Sequence, residues 1–107
     1  MKAVTQSKLA ASDIRQAAEY YRDEVDPQLA EDFIDTVRQA INHISHWPGS
    51  GSTRFSEILD LPGLRAFALA RFPYIIFYFE DADHVDVWRV LHASRDIPDI
   101  LRPHMPN

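Results

Sequence analysis

The sequence feature that most constrains the fold is a long apolar stretch in the second half of the chain, from Leu64 to Phe79. Only Arg65 and Arg71 carry charge inside it, and Pro73 divides it. Short apolar runs that are rich in aromatic and β-branched residues and bounded by turn residues are typical of buried strands. We therefore predict three strands, at about residues 64–70, 72–80 and 84–92. Because their connections are short, neighbouring strands should pair antiparallel.

The first half of the chain carries the pattern of two amphipathic helices. In each, apolar residues recur at spacings of about three and four, which places them on one helical face. Ser7 is suited to cap the first helix, and Asp26 followed by Pro27 is a typical start for the second. The first apolar face comprises Ala10, Ile14, Ala17, Ala18 and Tyr21, and the second comprises Ala30, Phe33, Ile34, Val37, Ile41 and Ile44. The short connection between them predicts an antiparallel helical hairpin.

Together these elements predict an α+β fold in one domain of 107 residues. The helical hairpin, at about 7–46, should pack on one face of a small twisted antiparallel sheet at about 53–92, followed by a short C-terminal tail at 93–107. Shorter predictions complete the fold, namely a strand or turn at 55–59, a β-permissive segment at 3–6 and one helical turn at 97–101.

Charge and composition exclude several classes of function. The net charge is −5, with five basic and eight acidic residues up to Thr53 and six and eight beyond it. Neither half is basic, which disfavours nonspecific nucleic-acid binding by the surface as a whole and leaves a local basic patch open. The absence of cysteine excludes a disulfide framework and any thiolate metal site. No apolar run approaches the roughly 18 residues of a membrane-spanning helix, so we expect a soluble, cytoplasmic protein with no membrane partner.

Polar clusters outside the apolar stretch carry no chemistry in our interpretation. His43 and His46 share a helix face, but a metal site needs about three or four converging ligands, so we interpret them as surface histidines. The segment 49–52 follows a helix and lacks the lysine of a phosphate loop, so we expect a flexible connector. The carboxylates between Glu19 and Asp35 should form a solvated helix face. We predict neither a metal nor a cofactor.

The arginines of the sheet region are the most informative charged residues. They are Arg65, Arg71, Arg89 and Arg95. An arginine on or beside a strand needs a carboxylate, a carbonyl or a ligand as its partner. One interpretation is structural pairing, with Asp86 and Asp96 as partners. The other is a concave, locally positive sheet face that binds a partner.

The order of short motifs along the chain is the feature that resembles a known family. The motifs are, in order, Ala10 with Asp13-Ile14, Tyr20-Tyr21, Ala30-Glu31-Asp32-Phe33, Trp47-Pro48-Gly49, Leu61-Pro62-Gly63-Leu64-Arg65, Arg71-Phe72-Pro73-Tyr74-Ile75-Ile76-Phe77-Tyr78 and Val87-Trp88-Arg89-Val90-Leu91-His92-Ala93-Ser94-Arg95-Asp96. Each motif alone has little specificity, but the ordered set covers almost the whole chain. It resembles the RelE/ParE superfamily of toxins from type II toxin–antitoxin systems, and most closely the ParE branch.

This resemblance implies a fold, partners and a target. The fold is a helical hairpin on a twisted antiparallel sheet, to which Ala3–Gln6 adds an N-terminal strand. The principal partner is a cognate antitoxin, whose disordered segment folds over the toxin by helix-in-groove packing and strand addition. Such a hetero-oligomer contacts operator DNA only through the antitoxin. The target in the ParE branch is DNA gyrase, stalled in its cleaved-DNA state, whereas the RelE branch cleaves mRNA on the ribosome.

Individual residues favour the gyrase-directed branch. By this resemblance, Ile75 occupies the strand position at which RelE-type nucleases carry a catalytic arginine, and no tyrosine follows Arg95 where those nucleases have one. Both lysines lie near the N-terminus, so the lysine-rich sheet of those nucleases is missing as well. We therefore predict a non-enzymatic gyrase inhibitor. Its candidate partner-binding and target-binding residues are Arg65, Arg71, Arg89, His92 and Arg95.

Two alternatives to gyrase inhibition stay open at the level of sequence. The first is a ribosome-dependent mRNA endonuclease that uses Arg65, Arg89, His92 or Arg95 by another route. The second is an inactive toxin that only binds its antitoxin and acts as a co-repressor of its own operon.

Overall fold

The structure, a computed structural model, describes residues 1–102, and this range contains four α-helices and four strands. The helices are α1 (Lys8–Glu24), α2 (Pro27–His46), α3 (Arg54–Leu59) and α4 (Ile97–Leu101), and one turn of 3-10 helix covers Pro48–Ser50. The strands are β1 (Ala3–Gln6), β2 (Leu64–Ala68), β3 (Tyr74–Glu80) and β4 (His84–His92). The part of the predicted tail at 103–107 lies outside the described residues.

The four strands form one sheet in the order β1-β4-β3-β2. The strands β2, β3 and β4 pair antiparallel, as their short connections predict. The strand β1 pairs parallel with β4, from Ala3 opposite His84 to Gln6 opposite Val87, so the sheet as a whole is mixed. Most of the chain separates β1 from β4, so no short connection determines the direction of β1. The predicted α+β fold, a helical hairpin on a small sheet, is confirmed.

The helical hairpin begins at the capping residues that predict it. The Ser7 hydroxyl accepts a hydrogen bond from the Ala10 amide at 3.0 Å and donates one to the Trp88 carbonyl at 2.6 Å. One side chain therefore caps α1 and also joins it to β4. At the start of α2, the Asp26 carboxylate accepts from the Gln28 amide at 2.7 Å. Each cap of this kind stabilises the fold by about 1 kcal/mol.

Apolar side chains cover both faces of the sheet. On one face, α1 and α2 pack against a cluster that includes Ala10, Ala17, Phe33, Val37, Ile44, Ile76, Tyr78, Val85, Val87 and Val90. On the other face, α3 and α4 cover a smaller cluster of Leu59, Leu64, Phe77, Trp88, Leu91, Ile97 and Leu101. Each large apolar side chain buried here contributes about 1.5–3 kcal/mol, so the clusters provide most of the drive to fold. This double coverage explains why β3 and β4 are almost continuously apolar.

The segment 54–59 corrects one prediction, because it forms the helix α3 and not a strand or turn of the sheet. Phe55 and Leu59 are four residues apart, so a helix places both on one face, where they pack in the smaller cluster. Asp60 ends the helix with a left-handed backbone, at φ 54°. Six residues hold fewer than two helical turns, which is too few to show a helical period in the sequence.

The turn between β3 and β4 places the half-buried His84 between two carboxylates. His84 Nδ1 lies 2.9 Å from Asp83 Oδ1, and His84 Nε2 lies 3.1 Å from Asp81 Oδ2. The hydrogen bond with Asp83 is the main cause that raises the pKa of His84 above its ordinary 6.5. The same hydrogen bond lowers the pKa of Asp83.

This arrangement predicts a pH-dependent contribution to stability. Because the pKa of His84 is higher in the folded chain, its contribution is fully present below the unfolded pKa of 6.5 and is lost as the pH rises through the raised folded pKa. An NMR titration of the imidazole should measure that raised pKa. The variant Asp83→Asn should bring it back towards 6.5, and an unchanged pKa in this variant would contradict the assignment.

Candidate functional site

The predicted partner-binding residues do not lie on one face of the sheet. Arg89 is buried, the half-buried Arg65 is bonded to the loop after α2, and Arg71 lies in the connection between β2 and β3. His92 and Arg95 lie close together at the end of β4. The apolar clusters cover both faces of the sheet, so the described part of the chain has no open basic sheet face.

Arg89 forms a buried ion pair with α1. Its Nε and Nη2 donate to the two carboxylate oxygens of Asp13, at 2.8 and 3.0 Å. The same carboxylate accepts from the Val90 amide at 2.9 Å. Asp13 thus provides a hydrogen-bond acceptor to β4 beyond Val87, where the pairing with β1 ends. The side chains of Arg89 and Asp13 are only 10% and 12% exposed. Arg89 Nη1 is buried without a hydrogen-bond partner among residues 1–102. Because the other two nitrogens bind Asp13 and the side chain is buried, Arg89 is not accessible to a partner in this structure.

Arg65 and Tyr78 together fix the loop that follows α2. Arg65 Nη1 donates to the carbonyls of Gly49 and Gly51, at 3.2 and 2.8 Å. The buried Tyr78 hydroxyl donates to the Pro48 carbonyl at 2.6 Å and accepts from the Gly51 amide at 3.0 Å. Burial raises the pKa of the Tyr78 phenol. The loop is therefore a fixed segment and not the flexible connector that its composition predicts.

The predicted partners of the arginines were wrong. Asp86 accepts a hydrogen bond from the Thr5 hydroxyl at 3.1 Å. Asp96 caps α4 by accepting from the Asp99 amide at 3.2 Å. The sequence offered one signal for Asp13, which is that it flanks the apolar face of α1, but a helical pattern does not show which strand such a residue meets.

Arg71 lies in the connection between β2 and β3 and has a left-handed backbone, at φ 69°. This conformation costs a residue with a side chain about 1–2 kcal/mol. The guanidinium lies 5.3 Å from the centre of the Phe72 ring and 3.4 Å from an Asp32 carboxylate oxygen. The Arg71 side chain is 60% exposed, so this ion pair contributes little to stability.

The two remaining candidates, His92 and Arg95, lie with two tyrosines at a polar corner at the end of the sheet. We call it the strand-end corner and define it as Tyr20, Tyr74, His92 and Arg95. Tyr74 is opposite His92 in the sheet, and their rings lie 5.1 Å apart at 75°. Burial raises the pKa of the Tyr74 phenol, the phenols of Tyr21 and Tyr20 add to the rise, and the charge of Arg95 opposes it. The Tyr21 ring connects the two phenols, because it lies 5.4 Å from the Tyr20 ring and 6.3 Å from the Tyr74 ring. The Arg95 amide donates to the His92 carbonyl at 3.1 Å, which places Arg95 next to the imidazole.

Ser94 orients the imidazole of this corner. Its amide donates to His92 Nδ1 at 3.1 Å, and its hydroxyl lies 2.7 Å from the same nitrogen. A backbone amide can only donate, so Nδ1 is the acceptor and Nε2 carries the proton of the neutral ring. Sequence reasoning singled out His92 and Arg95 but missed Tyr20 and Tyr74, which only the packing of α1 on the sheet brings to the same place.

Ile75 lies under the smaller apolar cluster of the sheet. Its half-buried side chain packs in the same group as Ile100 of α4. The position that the family resemblance assigns to a nuclease arginine is therefore occupied by an apolar side chain inside the packing of the fold.

A groove of about 730 Å³ runs along the outer side of the helical hairpin, between α1 and α2. Its apolar lining consists of Ala11, Ile14, Ala18, Ala30 and Ile34. Its charged lining consists of Arg15, Glu19, Arg22, Glu31, Asp35 and Arg38, with equal numbers of each sign. We call this surface the hairpin groove. A groove with apolar and charged walls suits the apolar face of an amphipathic helix.

Among residues 1–102, no three His, Asp or Glu side chains converge in a way that could hold a metal ion. Within the same residues, no helix combines the length and the apolar character that are needed to cross a bilayer.

Comparison with known families resolves the classification. The sequence profile described as "ParE toxin of type II toxin-antitoxin system, parDE" matches residues 4–97. The chain belongs to the ParE toxin family. The matched range of this ParE-family chain begins in β1 and ends at the start of α4, so it includes the hairpin groove and the strand-end corner. A search of curated proteins finds no significant sequence match.

A solved structure supports the ParE fold independently. A chain of "Chromosomal ParDE TA system from P. aeruginosa" superposes with a TM-score of 0.73 and 17% sequence identity. The match covers 88% of this chain and 98% of the other. At this level of identity the similarity establishes the fold alone.

Proposed function

We propose that this ParE-family chain is the toxin of a type II toxin–antitoxin pair, that a cognate antitoxin neutralises it, and that it inhibits DNA gyrase without catalysing a reaction. The observation that carries the proposal is the family match over residues 4–97. The positions of the basic residues support the non-catalytic part. Arg89 is buried in an ion pair, the half-buried Arg65 is bonded to loop carbonyls, and Ile75 is packed in the smaller cluster.

Two surfaces support antitoxin binding. The hairpin groove can receive an amphipathic helix, whose charged side chains would meet both signs of charge on its walls. The edge of β2 can receive an extended segment. Ser52 already pairs with Ala66 at this edge, through hydrogen bonds of 2.8 and 2.9 Å. The ladder alternates, so the backbone groups of Ala68 point towards the same open side, where a further strand can add.

Expression of the chain in a bacterial host tests the proposal. We expect growth arrest together with induction of the DNA-damage response, and we expect co-expression of the cognate antitoxin to restore growth. The purified chain should inhibit supercoiling by gyrase and should increase the amount of cleaved DNA. Growth arrest with intact DNA and no DNA-damage response would contradict gyrase as the target.

The same experiment separates the two alternatives. Primer extension on translated messages should show no new cuts, whereas cuts at regular codon positions would identify a ribosome-dependent endonuclease. An inactive toxin would leave growth unchanged and would still bind the antitoxin. Each alternative therefore has a result that the gyrase proposal does not give.

A further inference from the structure

The strand-end corner differs in chemistry from the surface around it. Arg95 is exposed, and its side chain forms no ion pair or hydrogen bond within residues 1–102. His92 offers a second donor next to it, because Ser94 occupies Nδ1 and leaves Nε2–H. Tyr20 is 54% exposed, and its ring lies 5.4 Å from that of Tyr21, which in turn lies 6.3 Å from the ring of the half-buried Tyr74. The corner thus combines a guanidinium, an imidazole and two phenols, a composition that is typical of the residues that dominate protein interfaces.

We propose that the strand-end corner is the surface through which the chain contacts its protein target, and that it binds an acidic side chain of that target between Arg95 and His92 while the rings of Tyr20 and Tyr74 pack around it. This inference rests on the proposed function, since it assumes that the chain has a protein target.

The charge of the chain favours a protein carboxylate over a nucleic acid. A nucleic acid carries a charge on every phosphate, and binding it requires several basic contacts at once. This chain has a net charge of −5, and acidic residues line the neighbouring hairpin from Glu19 to Asp35. One arginine and one histidine are too few to offset that repulsion along a phosphate backbone. They suffice for one carboxylate, because a hydrogen bond to an ionised partner is stronger than a neutral one.

The position of the corner separates it from the hairpin groove. An α-helix turns by about 100° per residue, and Tyr20 is two residues from Ala18 and from Arg22, which both line the groove. Tyr20 therefore lies on nearly the opposite side of α1, towards β4. A substitution in the corner leaves the groove intact, so target contact and antitoxin binding can be measured separately.

The test uses Arg95→Glu and Tyr20→Ser, with Arg54→Glu as the matched control. Arg54 is an exposed arginine on α3, which covers the other face of the sheet, so the control makes the same change of charge away from the corner. Growth arrest, inhibition of purified gyrase and affinity for the cognate antitoxin are measured for each variant. We expect Arg95→Glu to lower the inhibitory potency by about tenfold or more, as the loss of a charge-assisted contact does. Tyr20→Ser should lower it by about tenfold as well, because it removes an aromatic side chain from the centre of the contact. Antitoxin affinity should stay within about threefold of the original chain, as should the potency of Arg54→Glu.

The outcomes distinguish failure of this inference from failure of the proposed function. If the original chain arrests growth and inhibits gyrase, and Arg95→Glu is as potent as Arg54→Glu, the corner is not the target surface. If Arg95→Glu loses potency and antitoxin affinity to the same degree, the corner is part of a general binding surface and the inference is wrong. If the original chain neither arrests growth nor inhibits gyrase, or if it cleaves mRNA, the proposed function fails and this inference fails with it.

Discussion

Replacing Asp13 with alanine should lower the free energy of unfolding by about 3–5 kcal/mol, because it leaves a buried guanidinium without a counter-charge. In the native chain the Asp13 carboxylate accepts from Arg89 twice and from the Val90 amide once. No water replaces these contacts readily, since the Arg89 side chain is only 10% exposed. Urea denaturation followed by circular dichroism measures the effect.

The matched control for this prediction is Glu19→Ala. Glu19 is another α1 carboxylate, but it is 48% exposed and lies 3.8 Å from Arg15. Its loss should change stability by less than about 1 kcal/mol. If the two losses of unfolding free energy differ by less than about 1 kcal/mol, the prediction is wrong, because the buried Arg89 charge then does not depend on Asp13.

A double variant shows what the ion pair itself contributes. Asp13→Leu combined with Arg89→Met removes both charges and keeps most of the volume, so we expect it to be more stable than Asp13→Ala. Recovery should be incomplete, because the Val90 amide still loses its acceptor, at a cost of about 1–3 kcal/mol. A double variant that is less stable than Asp13→Ala would contradict this expectation, because the unpaired charge of Arg89 would then not be the main cause of the loss.

The elements that sequence predicted well are those set by local signals. The start of α1 follows from the Ser7 cap, and the start of α2 follows from Asp26 and Pro27. Strands β3 and β4 follow from apolar runs that end at turn residues. These signals act over a few residues, so the sequence displays them directly.

The features that sequence missed depend on contacts between distant parts of the chain. The direction of β1 depends on its pairing with β4, in which Val4 lies opposite Val85, some eighty residues later in the chain. The Asp13–Arg89 pair and the hydrogen bonds of Tyr78 likewise join segments that no periodicity connects. A buried polar group must find a partner, but the sequence does not name it.

In the candidate site too, the residue types were visible in the sequence, whereas their contacts were not. An arginine on a strand is conspicuous in any sequence, so all the basic candidates were found. Their roles were not separable, because Arg89 and Arg95 look alike until one is buried against Asp13 and the other is exposed. The aromatic half of the corner was missed because Tyr74 is explained by the apolar run of its strand, and Tyr20 lies outside the apolar face of its helix, where an exposed aromatic residue gives no sign of its neighbours.

Gly51→Ala should destabilise the fold by about 1–3 kcal/mol through overpacking. A Cβ at this position would lie 2.6 Å from the Tyr78 hydroxyl oxygen and 3.0 Å from Arg65 Cβ. The hydroxyl cannot move aside, because Tyr78 is fully buried and its oxygen is bonded to Pro48 and Gly51. Gly49→Ala is the matched control: its Cβ would meet nothing within 4 Å, so it should change stability by less than about 0.5 kcal/mol.

The decisive measurement is the coupling between Gly51→Ala and Tyr78→Phe. Tyr78→Phe alone should also cost about 1–3 kcal/mol, because the Gly51 amide and the Pro48 carbonyl lose their partner. The same change removes the oxygen that an alanine at position 51 would strike, so the double variant should lose less than the sum of the single losses. The contacts at 3.0 Å remain, which keeps the rescue partial. A coupling free energy of about 0.5 kcal/mol or more would support a loop that is fixed from the sheet side by Tyr78. Strictly additive losses would contradict it, because they would mean that the loop backbone moves to accommodate the added methyl group at position 51.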